Sequence, residues 1–302
     1  MTDSLRAATR GSPLALWQAR HVAALIEAAT GQRTEEVVVS THGDRDLATP
    51  IHSMGGKGVF VKEVQAAVLD GRADIAVHSG KDLPALTPEG LIMAGVPDRA
   101  DPRDALVGST WADLPDGAHV ATGSVRRRAQ LAWLRPDLRF SELRGNIATR
   151  LDKLASGDFD AIVMAAAAID RLELSLDVPV DRLPVDVMLP QVAQGALIVE
   201  CRADDAATLA TLTAIDDGPS RRLVDAERAF LAELGGDCDL PAGAHAVADG
   251  EAVTLTAMLS SLDGQQLLRE TRSGSDPEPL GRGLARNLMD DLGGRDLLAA
   301  MR

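Results

Sequence analysis

One cysteine stands in a part of this sequence where covalent chemistry is possible. Cys238 lies in the segment GGDCDLPAG (residues 235–243), between a predicted helix and a predicted strand. A cysteine in a glycine-rich loop is expected to be accessible, and an accessible thiol can hold a group covalently. Cys201, in the apolar run LIVEC, is expected to be a packing residue. Taken alone, Cys238 is more simply explained as an inert thiol.

The segment HSGKDLP (residues 78–84) places two adjacent charges, Lys81 and Asp82, directly after a predicted buried strand. Ligands of α/β folds bind beyond the carboxyl ends of strands. There, Asp82 can accept a hydrogen bond from a heterocyclic N–H and stabilise developing positive charge. The alternative is a turn with an incidental ion pair. Because no second His or Cys stands at metal-ligand spacing from His78, that residue is expected to be structural and no metal site is predicted.

Arginines gather after the predicted strands. Ser124 is predicted to cap a helix whose first turn contains Arg126 and Arg127, and cations there oppose the helix dipole. We therefore expect an anionic ligand at this helix start. The alternative is a solvated basic face, which suits Arg128. Further arginines follow later strands, at Arg144 (before Gly145 and the predicted N-cap Asn146), Arg150 and Arg171.

Two other motifs are weak when taken alone. In ATRGSPLALWQA (residues 8–19), Arg10 ends a predicted strand and Ser12 caps the next helix. Free amides beside a guanidinium can bind a carboxylate or phosphate, but a capped helix with a solvated arginine explains the motif as well. GGKG (residues 55–58) gives Lys57 a flexible loop, but its spacing does not fit a P-loop and a surface turn is the simpler explanation.

Composition narrows the function classes. The chain has 302 residues, a formal net charge of −14, 2% aromatic residues and no tyrosine. Nucleic acid is not an expected partner, because its binders need a positive footprint and stacking surfaces. No apolar run reaches the ~20 residues of a membrane span, and the N-terminus lacks a secretory pattern. Two distant cysteines form neither a disulfide framework nor a zinc pattern, so a reducing cytoplasm is the expected setting.

Strand and helix signals alternate through the first two thirds of the chain. This alternation predicts α/β lobes with largely parallel sheets covered on both faces. The segments 96–102 and 189–195 look like crossings between two lobes, and the pattern changes after about residue 217. These features predict a first α/β lobe from residues 1–97 and 196–215, a second from 103–190, and a C-terminal α+β domain from 218–302.

Taken together, the motifs resemble those of hydroxymethylbilane synthases, also called porphobilinogen deaminases, over nearly the whole chain. The ordered series is ATRGSPLALWQA, GGKGVFVKE, ADIAVHSGKDLP, DPRDAL, GSVRRRAQL, LRGNIATRL, QGA and GGDCDLP. One such motif can arise by chance, whereas eight in this order are highly specific.

The resemblance implies an α/β fold of two periplasmic-binding-protein-like lobes with mixed sheets, an active cleft between them, and the C-terminal α+β domain. It implies a dipyrromethane cofactor joined to Cys238 by a thioether. Four porphobilinogen molecules would be condensed head to tail on it with loss of ammonia, and hydrolysis would release hydroxymethylbilane. Asp82 would be catalytic, stabilising cationic pyrrole intermediates. The other implied roles are cofactor binding by Lys81, Asp82, Ser124, Arg126, Arg127, Arg144 and Gly145, substrate binding by Arg10, Ser12, Arg150, Arg171 and Gln194, and a loop over the cleft with Lys57 and Phe60.

The chain departs from the family pattern at a few positions. Gly80 replaces a residue that is usually larger, and Ala193 stands where glycine is usual. Asp237 stands where glycine is common, and Asp239 follows the cysteine. Two carboxylates beside Cys238 disfavour its thiolate, which would slow cofactor attachment. Ser53 stands where some relatives have a lysine.

Two alternatives remain open at this stage. A two-lobed solute-binding protein without catalysis would explain the lobes and the arginines, but it needs neither a third domain nor Cys238 and Asp82. An inactive relative is a second alternative, although every principal residue is present. Since no exposed apolar stripe is evident, we expect a monomer.

The two cysteines can be told apart by mass. Replacing Cys238 by serine should give a folded protein without a covalent dipyrrole, because the thioether has lost its sulfur. Replacing Cys201 by serine should leave the adduct in place. Intact-mass spectrometry of both variants measures this, and an adduct that survives in Cys238→Ser would contradict the assignment.

Overall fold

The structure is a computed structural model that describes residues 4–41, 58, 61–235 and 240–301. Its strands are β1 (Leu5–Arg10), β2 (Thr34–Val39), β3 (Ile75–Ser79), β4 (Leu91–Gly95), β5 (Asp104–Val107), β6 (His119–Ala121), β7 (Arg139–Ser141), β8 (Ala161–Ala165), β9 (Val180–Arg182), β10 (Leu197–Arg202), β11 (Ala242–Asp249), β12 (Ala252–Ser260) and β13 (Leu267–Gly274). Its helices are α1 (Pro13–Thr30), α2 (Lys62–Leu69), α3 (Val125–Leu134), α4 (Ile147–Ala155), α5 (Ala166–Arg171), α6 (Ala206–Thr213), α7 (Gly218–Leu234), α8 (Pro277–Asp290) and α9 (Gly294–Ala300).

The first lobe is built on a five-stranded sheet in the order β2-β1-β3-β10-β4. Its longest helix, α1, begins at the predicted N-cap, where Ser12 Oγ accepts from the Ala15 amide, and ends at Gly31 in the left-handed conformation. That helix buries Val22 and Ile26 against the apolar residues of β1, β3 and β10. Local capping and one apolar face thus fix the helix that carries the Arg10 motif to the sheet.

The second lobe repeats this plan with the order β7-β6-β8-β5-β9. Ser124 caps α3 by accepting from the Arg127 amide, and Asn146 caps α4 by accepting from the Thr149 amide. The predicted capping residues are therefore confirmed at both helices.

Both sheets are mixed: four of the five strands in each run in one direction, as the expectation of largely parallel sheets requires, and one strand runs against them. In the first lobe β10 runs antiparallel to β3 and β4, and in the second β5 runs antiparallel to β8 and β9. Each of these strands is the first after a passage between lobes. No crossover helix precedes it to return the chain to the other end of the sheet, which a parallel strand requires. The mixed sheets implied by the family resemblance are confirmed.

The C-terminal unit is a three-stranded antiparallel sheet, β11-β12-β13, covered by α7, α8 and α9. One face of that sheet packs on α7 and α8, with Phe230, Leu255 and Leu284 fully buried. The same apolar cluster continues into the first lobe through Leu83, Val96 and neighbouring residues. The α/β class with an added α+β unit is thus directly visible, whereas the exact domain limits stay a prediction.

Glu227 on α7 joins the three units. Its side chain is fully buried, and its two oxygens accept from the two terminal guanidinium nitrogens, Nη1 and Nη2, of Arg99 at 2.7 and 3.0 Å. They also accept from the amides of Ala193 at 2.7 Å and Ala246 at 2.8 Å. Arg99 and Ala193 belong to the two passages between the lobes, and Ala246 belongs to β11. One carboxylate therefore holds both passages against the C-terminal unit.

We predict that Glu227→Gln lowers the free energy of unfolding by about 3–5 kcal/mol, because Arg99 is left as a buried, unpaired cation. That loss corresponds to a fall in Tm of roughly 5–10 °C, measurable by calorimetry. Glu233→Gln is the control, since Glu233 is on the same helix but pairs with the partly exposed Arg282 and Arg286. It should cost about 1 kcal/mol or less. Equal losses in the two variants would refute the junction role of Glu227.

Candidate active site

Asp82 ends a short 3-10 turn, Gly80–Asp82, that directly follows β3. The turn is held to the first lobe because the Gly80 amide donates to the Ala196 carbonyl at 2.9 Å. Asp82 is half-buried and opens into a small cavity of about 30 Å³ that Arg10, Gln18, His78 and Ser79 also line. The predicted strand-then-charge arrangement therefore brings Asp82 and Arg10 to one cavity, and it adds Gln18, which the sequence reasoning did not select.

His78 is structural, as the sequence predicts. Its Nε2 lies 3.1 Å from Glu200 Oε2, and both side chains are buried in the first lobe. Gln65 donates to the same carboxylate oxygen at 2.8 Å. Burial raises the pKa of Glu200, but His78, Gln65 and the charge of Arg228 outweigh it, so the pKa is lowered and the carboxylate stays charged.

Arg126 and Arg127 meet an internal anion that the sequence reasoning missed. Asp104, at the start of β5, is fully buried; Arg126 Nη1 lies 2.8 Å from its Oδ2 and Arg127 Nη2 lies 2.7 Å from its Oδ1. Burial raises the pKa of Asp104, but the two guanidinium groups outweigh it and hold the pKa well below its usual range. Asp104 thus supplies an internal anion that balances the opposition of these arginines to the helix dipole, and the anionic ligand expected at this helix start stays a prediction. The signal was present in the motif DPRDAL, where a carboxylate precedes an apolar strand.

Gln194 and Lys81 extend this cluster toward Asp82. Gln194 is 1% exposed; its Nε2 donates to Asp104 Oδ1 at 3.0 Å and its Oε1 accepts from Lys81 Nζ at 3.5 Å. Burial, followed by the charge of Arg127, lowers the pKa of Lys81 to about 8. Residues from both lobes and from the second passage thus meet at Lys81.

Arg150 approaches the same cluster from α4. Burial, followed by the charge of Arg127, lowers its pKa to about 10, while Asp82 raises it and Arg144 lowers it further. Its Nε donates to the Gly145 carbonyl at 2.9 Å. Gly145 has a φ of +113°, and a Cβ there would lie 2.7 Å from Thr149 Cγ2, so only glycine fits the turn that orients Arg150.

Cations outnumber carboxylates in this cluster. Among the described residues that act on one another here, two carboxylates, Asp82 and Asp104, face five cations. Those cations are Lys81, Arg126, Arg127, Arg144 and Arg150. Clustered, largely desolvated positive charge is costly without counter-charge. The cluster therefore suits a ligand that carries several carboxylates.

Arg171 lies apart from the Asp82 cavity. Its Nη2 donates to the Gly195 carbonyl at 2.7 Å, and its guanidinium lies 5.7 Å from the centre of the Trp17 ring. Burial lowers its pKa to about 10. It lines a separate groove of about 710 Å³, together with Trp17, His21 and Leu25 of α1. The predicted arginine set is thus divided between two places.

Several predicted site residues fall outside the described residues or act as caps. Lys57, Phe60 and Cys238 lie outside the described residues, as do the departures Ser53, Asp237 and Asp239. Ser12 and Ser124 each accept a backbone amide as helix N-caps. Cys201 is buried in the first lobe, where burial raises the pKa of its thiol to about 11, so the packing role is confirmed.

Two further observations concern the described part of the chain. No group of His, Cys, Asp and Glu side chains within it is arranged to hold a metal ion. None of its helices combines the length and apolar character needed to span a membrane.

Comparisons with known proteins agree with the motifs. Residues 5–210 match the family model described as "Porphobilinogen deaminase, dipyromethane cofactor binding domain", and residues 222–290 match "Porphobilinogen deaminase, C-terminal domain". A porphobilinogen deaminase of Brevibacillus brevis is 45% identical over 96% of this chain and 95% of its own length. One of Roseiflexus castenholzii is 47% identical over 99% of this chain and 100% of its own. Among solved structures, the Bordetella pertussis BvgS periplasmic VFT2 domain aligns with 70% of this chain and 86% of its own at 15% identity, with a TM-score of 0.42.

The lowered pKa of Lys81 generates a pH prediction. As pH rises through about 8, Lys81 loses its charge, so carboxylate binding should weaken. In the Cys238→Ser variant, which is expected to lack the cofactor, the affinity for porphobilinogen should fall by up to about tenfold between pH 7 and 9. Adding Lys81→Arg should largely remove this fall, because a guanidinium stays charged. Calorimetric titration measures both, and the same pH dependence in the two proteins would contradict the role of Lys81.

Proposed function

The chain belongs to the porphobilinogen deaminase family, and on that premise we propose how its residues divide the work. It is a transferase of tetrapyrrole biosynthesis. It condenses four porphobilinogen molecules, with loss of ammonia, into the linear tetrapyrrole hydroxymethylbilane. The observation that carries the assignment of residues is the excess of desolvated cations over the two described carboxylates of the cluster, Asp82 and Asp104. Porphobilinogen matches that cluster because each pyrrole brings two carboxylates and one N–H.

Asp82 is the catalytic residue in this proposal. Its carboxylate accepts a hydrogen bond from the N–H of the reacting pyrrole, and it stabilises the positive charge that spreads into the ring as ammonia leaves. Support comes from its position, since it faces a cavity lined by Arg10 while Arg150 and Lys81 act on it electrostatically. The cations bind the carboxylates of the substrate. The Asp82 carboxylate binds the pyrrole N–H and stabilises the positive charge of the ring.

The cluster around Asp104 is the cofactor side of the site. A dipyrromethane carries four carboxylates, and the excess of positive charge suits such a group. When bound, it supplies the free α-carbon on which the chain grows. Lys81 and Arg144 hold its carboxylates. Arg126 and Arg127 contribute charge from the positions fixed by Asp104, with Ser124 and Gly145 shaping the helix starts and Asp82 reaching the ring nitrogens.

The substrate side comprises Arg10, Ser12, Arg150, Arg171 and Gln194. Arg10 and Ser12 stand where β1 meets α1, so they can receive a carboxylate at the helix start. Gln194 spaces Lys81 from Asp104. Lys57 and Phe60 lie outside the described residues, and their assignment to a loop over the cleft stays a prediction. Arg171 serves rings that have already been added, which its separation from Asp82 supports.

The anchor of the cofactor is Cys238, joined by a thioether. The other cysteine, Cys201, is buried with a raised pKa and is a poor candidate for attachment. We further propose that the protein acts as a monomer in the cytoplasm. Its units in this proposal are residues 1–97 with 196–215, residues 103–190, and residues 218–302.

The charge of Asp82 can be removed without changing its shape. Asp82→Asn should lower kcat by ~10²-fold or more, the scale for losing one preorganised electrostatic group, with a smaller effect on KM. Steady-state assays with porphobilinogen measure this, and intact mass checks that the cofactor is still present. Near-normal turnover in a cofactor-loaded variant would make Asp82 merely structural.

The arginines should act at different stages of elongation. Losing one charge-assisted contact costs roughly 1.5–3 kcal/mol, which weakens a stage without unfolding the protein. Arg150→Leu should block the first addition, because the charges of Arg150 and Asp82 act on each other. Arg171→Leu should let elongation begin and then stall. Mass spectrometry resolves complexes carrying one to four added rings.

Arg128→Leu is the matched control, since Arg128 is on α3 but its only described side-chain contact is the carbonyl of Leu262 at 3.4 Å. It should give the parent distribution of complexes. If all three variants accumulated that same distribution, a general basic patch would describe the site better than separate stages. Arg126→Leu is a poor test, because it would also leave Asp104 partly unpaired in the core.

A further inference from the structure

The turn that presents Asp82 rests on one side chain of the second passage between the lobes. A Cβ added to Gly80 would lie 2.9 Å from Ala193 Cβ, 3.1 Å from the Ala193 carbonyl oxygen and 3.1 Å from Ile198 Cδ1. The Ala193 methyl group therefore occupies the space that a side chain at position 80 would need. Glycine at position 80 and alanine at position 193 fit each other.

Ala193 holds an unusual backbone conformation. Its φ is +56°, in the left-handed region that residues with a Cβ rarely adopt. Such a conformation persists only where the surroundings fix it. Here the Ala193 amide donates to Glu227 Oε2 at 2.7 Å, and the Ala193 carbonyl accepts from the Ala196 amide at 3.2 Å. The methyl group is thus held in place from the C-terminal unit.

The residues that follow Gly80 and Ala193 in the chain also contact each other. Lys81 Nζ lies 3.5 Å from Gln194 Oε1, one residue beyond the contact of Gly80 with Ala193. A displacement of the turn against the passage would therefore change two contacts together, the support below Gly80 and the spacing of Lys81 from Gln194. Asp82 follows in the same turn.

We propose that Ala193 is a positioning residue for Asp82. Its methyl group supports the Gly80–Asp82 turn, and Glu227 holds that methyl group in place. This inference rests on the catalytic role proposed for Asp82. Ala193, with its left-handed backbone, then contributes to turnover as well as to packing in the core.

The test is Ala193→Gly. Glycine adopts a φ of +56° without strain, which offsets the loss of one buried methyl group, so Tm should change by less than about 2 °C. The turn loses its support, and kcat should fall about 3–10-fold with KM nearly unchanged, since small misplacements near reacting groups are costly. Intact mass should show full cofactor loading. A merely structural alanine would give the opposite pattern, a lower Tm with normal kcat, and that result would overturn the proposal.

A double-mutant cycle sharpens the test. Gly80→Ala alone should lower both Tm and kcat, because its new Cβ meets Ala193. Combining Gly80→Ala with Ala193→Gly moves the methyl group to the other side of the same contact, so kcat should recover to within about twofold of the parent. Additive losses in the double variant would refute the contact as the cause.

Repeating Ala193→Gly in an Asp82→Asn background separates this proposal from the role of Asp82. If the methyl group acts through Asp82, the loss of kcat should shrink to a factor of about 1 there. A loss of full size would overturn the positioning role while the catalytic role of Asp82 stands. Normal turnover in Asp82→Asn alone would remove the catalytic role, and the positioning proposal with it.

Discussion

The buried carboxylate of Glu227 is the interaction on which the arrangement of the three units depends. A fully buried anion is tolerated only when it is paired and hydrogen-bonded, and Glu227 has a bidentate arginine and two backbone amides. Each of these partners belongs to a segment far from the others in the chain. Satisfying one charge therefore specifies how two lobes and a C-terminal unit meet.

The candidate active site has the opposite charge balance, an excess of buried positive charge. The chain as a whole has a net charge of −14, yet five cations gather around Asp82 and Asp104. Asp104 neutralises part of this charge permanently and fixes two guanidinium groups in the core of the second lobe. Lys81 and Arg150 keep lowered pKa values, because burial and the charge of Arg127 outweigh the attraction of the nearby carboxylates. A structural carboxylate thus leaves a defined share of the positive charge for carboxylates that arrive with a ligand.

Local signals in the sequence predict the elements around the site well. The caps Ser12, Ser124 and Asn146 fix where three helices begin, and the charges after β3 locate the turn with Asp82. Short strands such as β5 and β9 are missed, because three or four residues carry no clear periodicity. The antiparallel entry of β5 and β10 depends on where the chain returns from the other lobe, which local patterns do not encode. The pairing of Arg126 with Asp104, 22 positions away, arises only from tertiary packing. Cys238 and Lys57 lie outside the described residues, so the anchoring role of the first and the loop position of the second stay predictions.

The two passages between the lobes are held side by side by Glu227, so together they can act as a hinge. Two adjacent tethers permit bending about the line that joins them and resist twisting and sliding. In such a rotation, displacement grows with distance from the axis. Three residues lie close to this hinge axis and would keep their spacing as the lobes rotate: Gln194, Lys81 and Asp104. The contacts of Gln194 with Lys81 and Asp104 thus lie beside the axis, where distances change least as the lobes rotate.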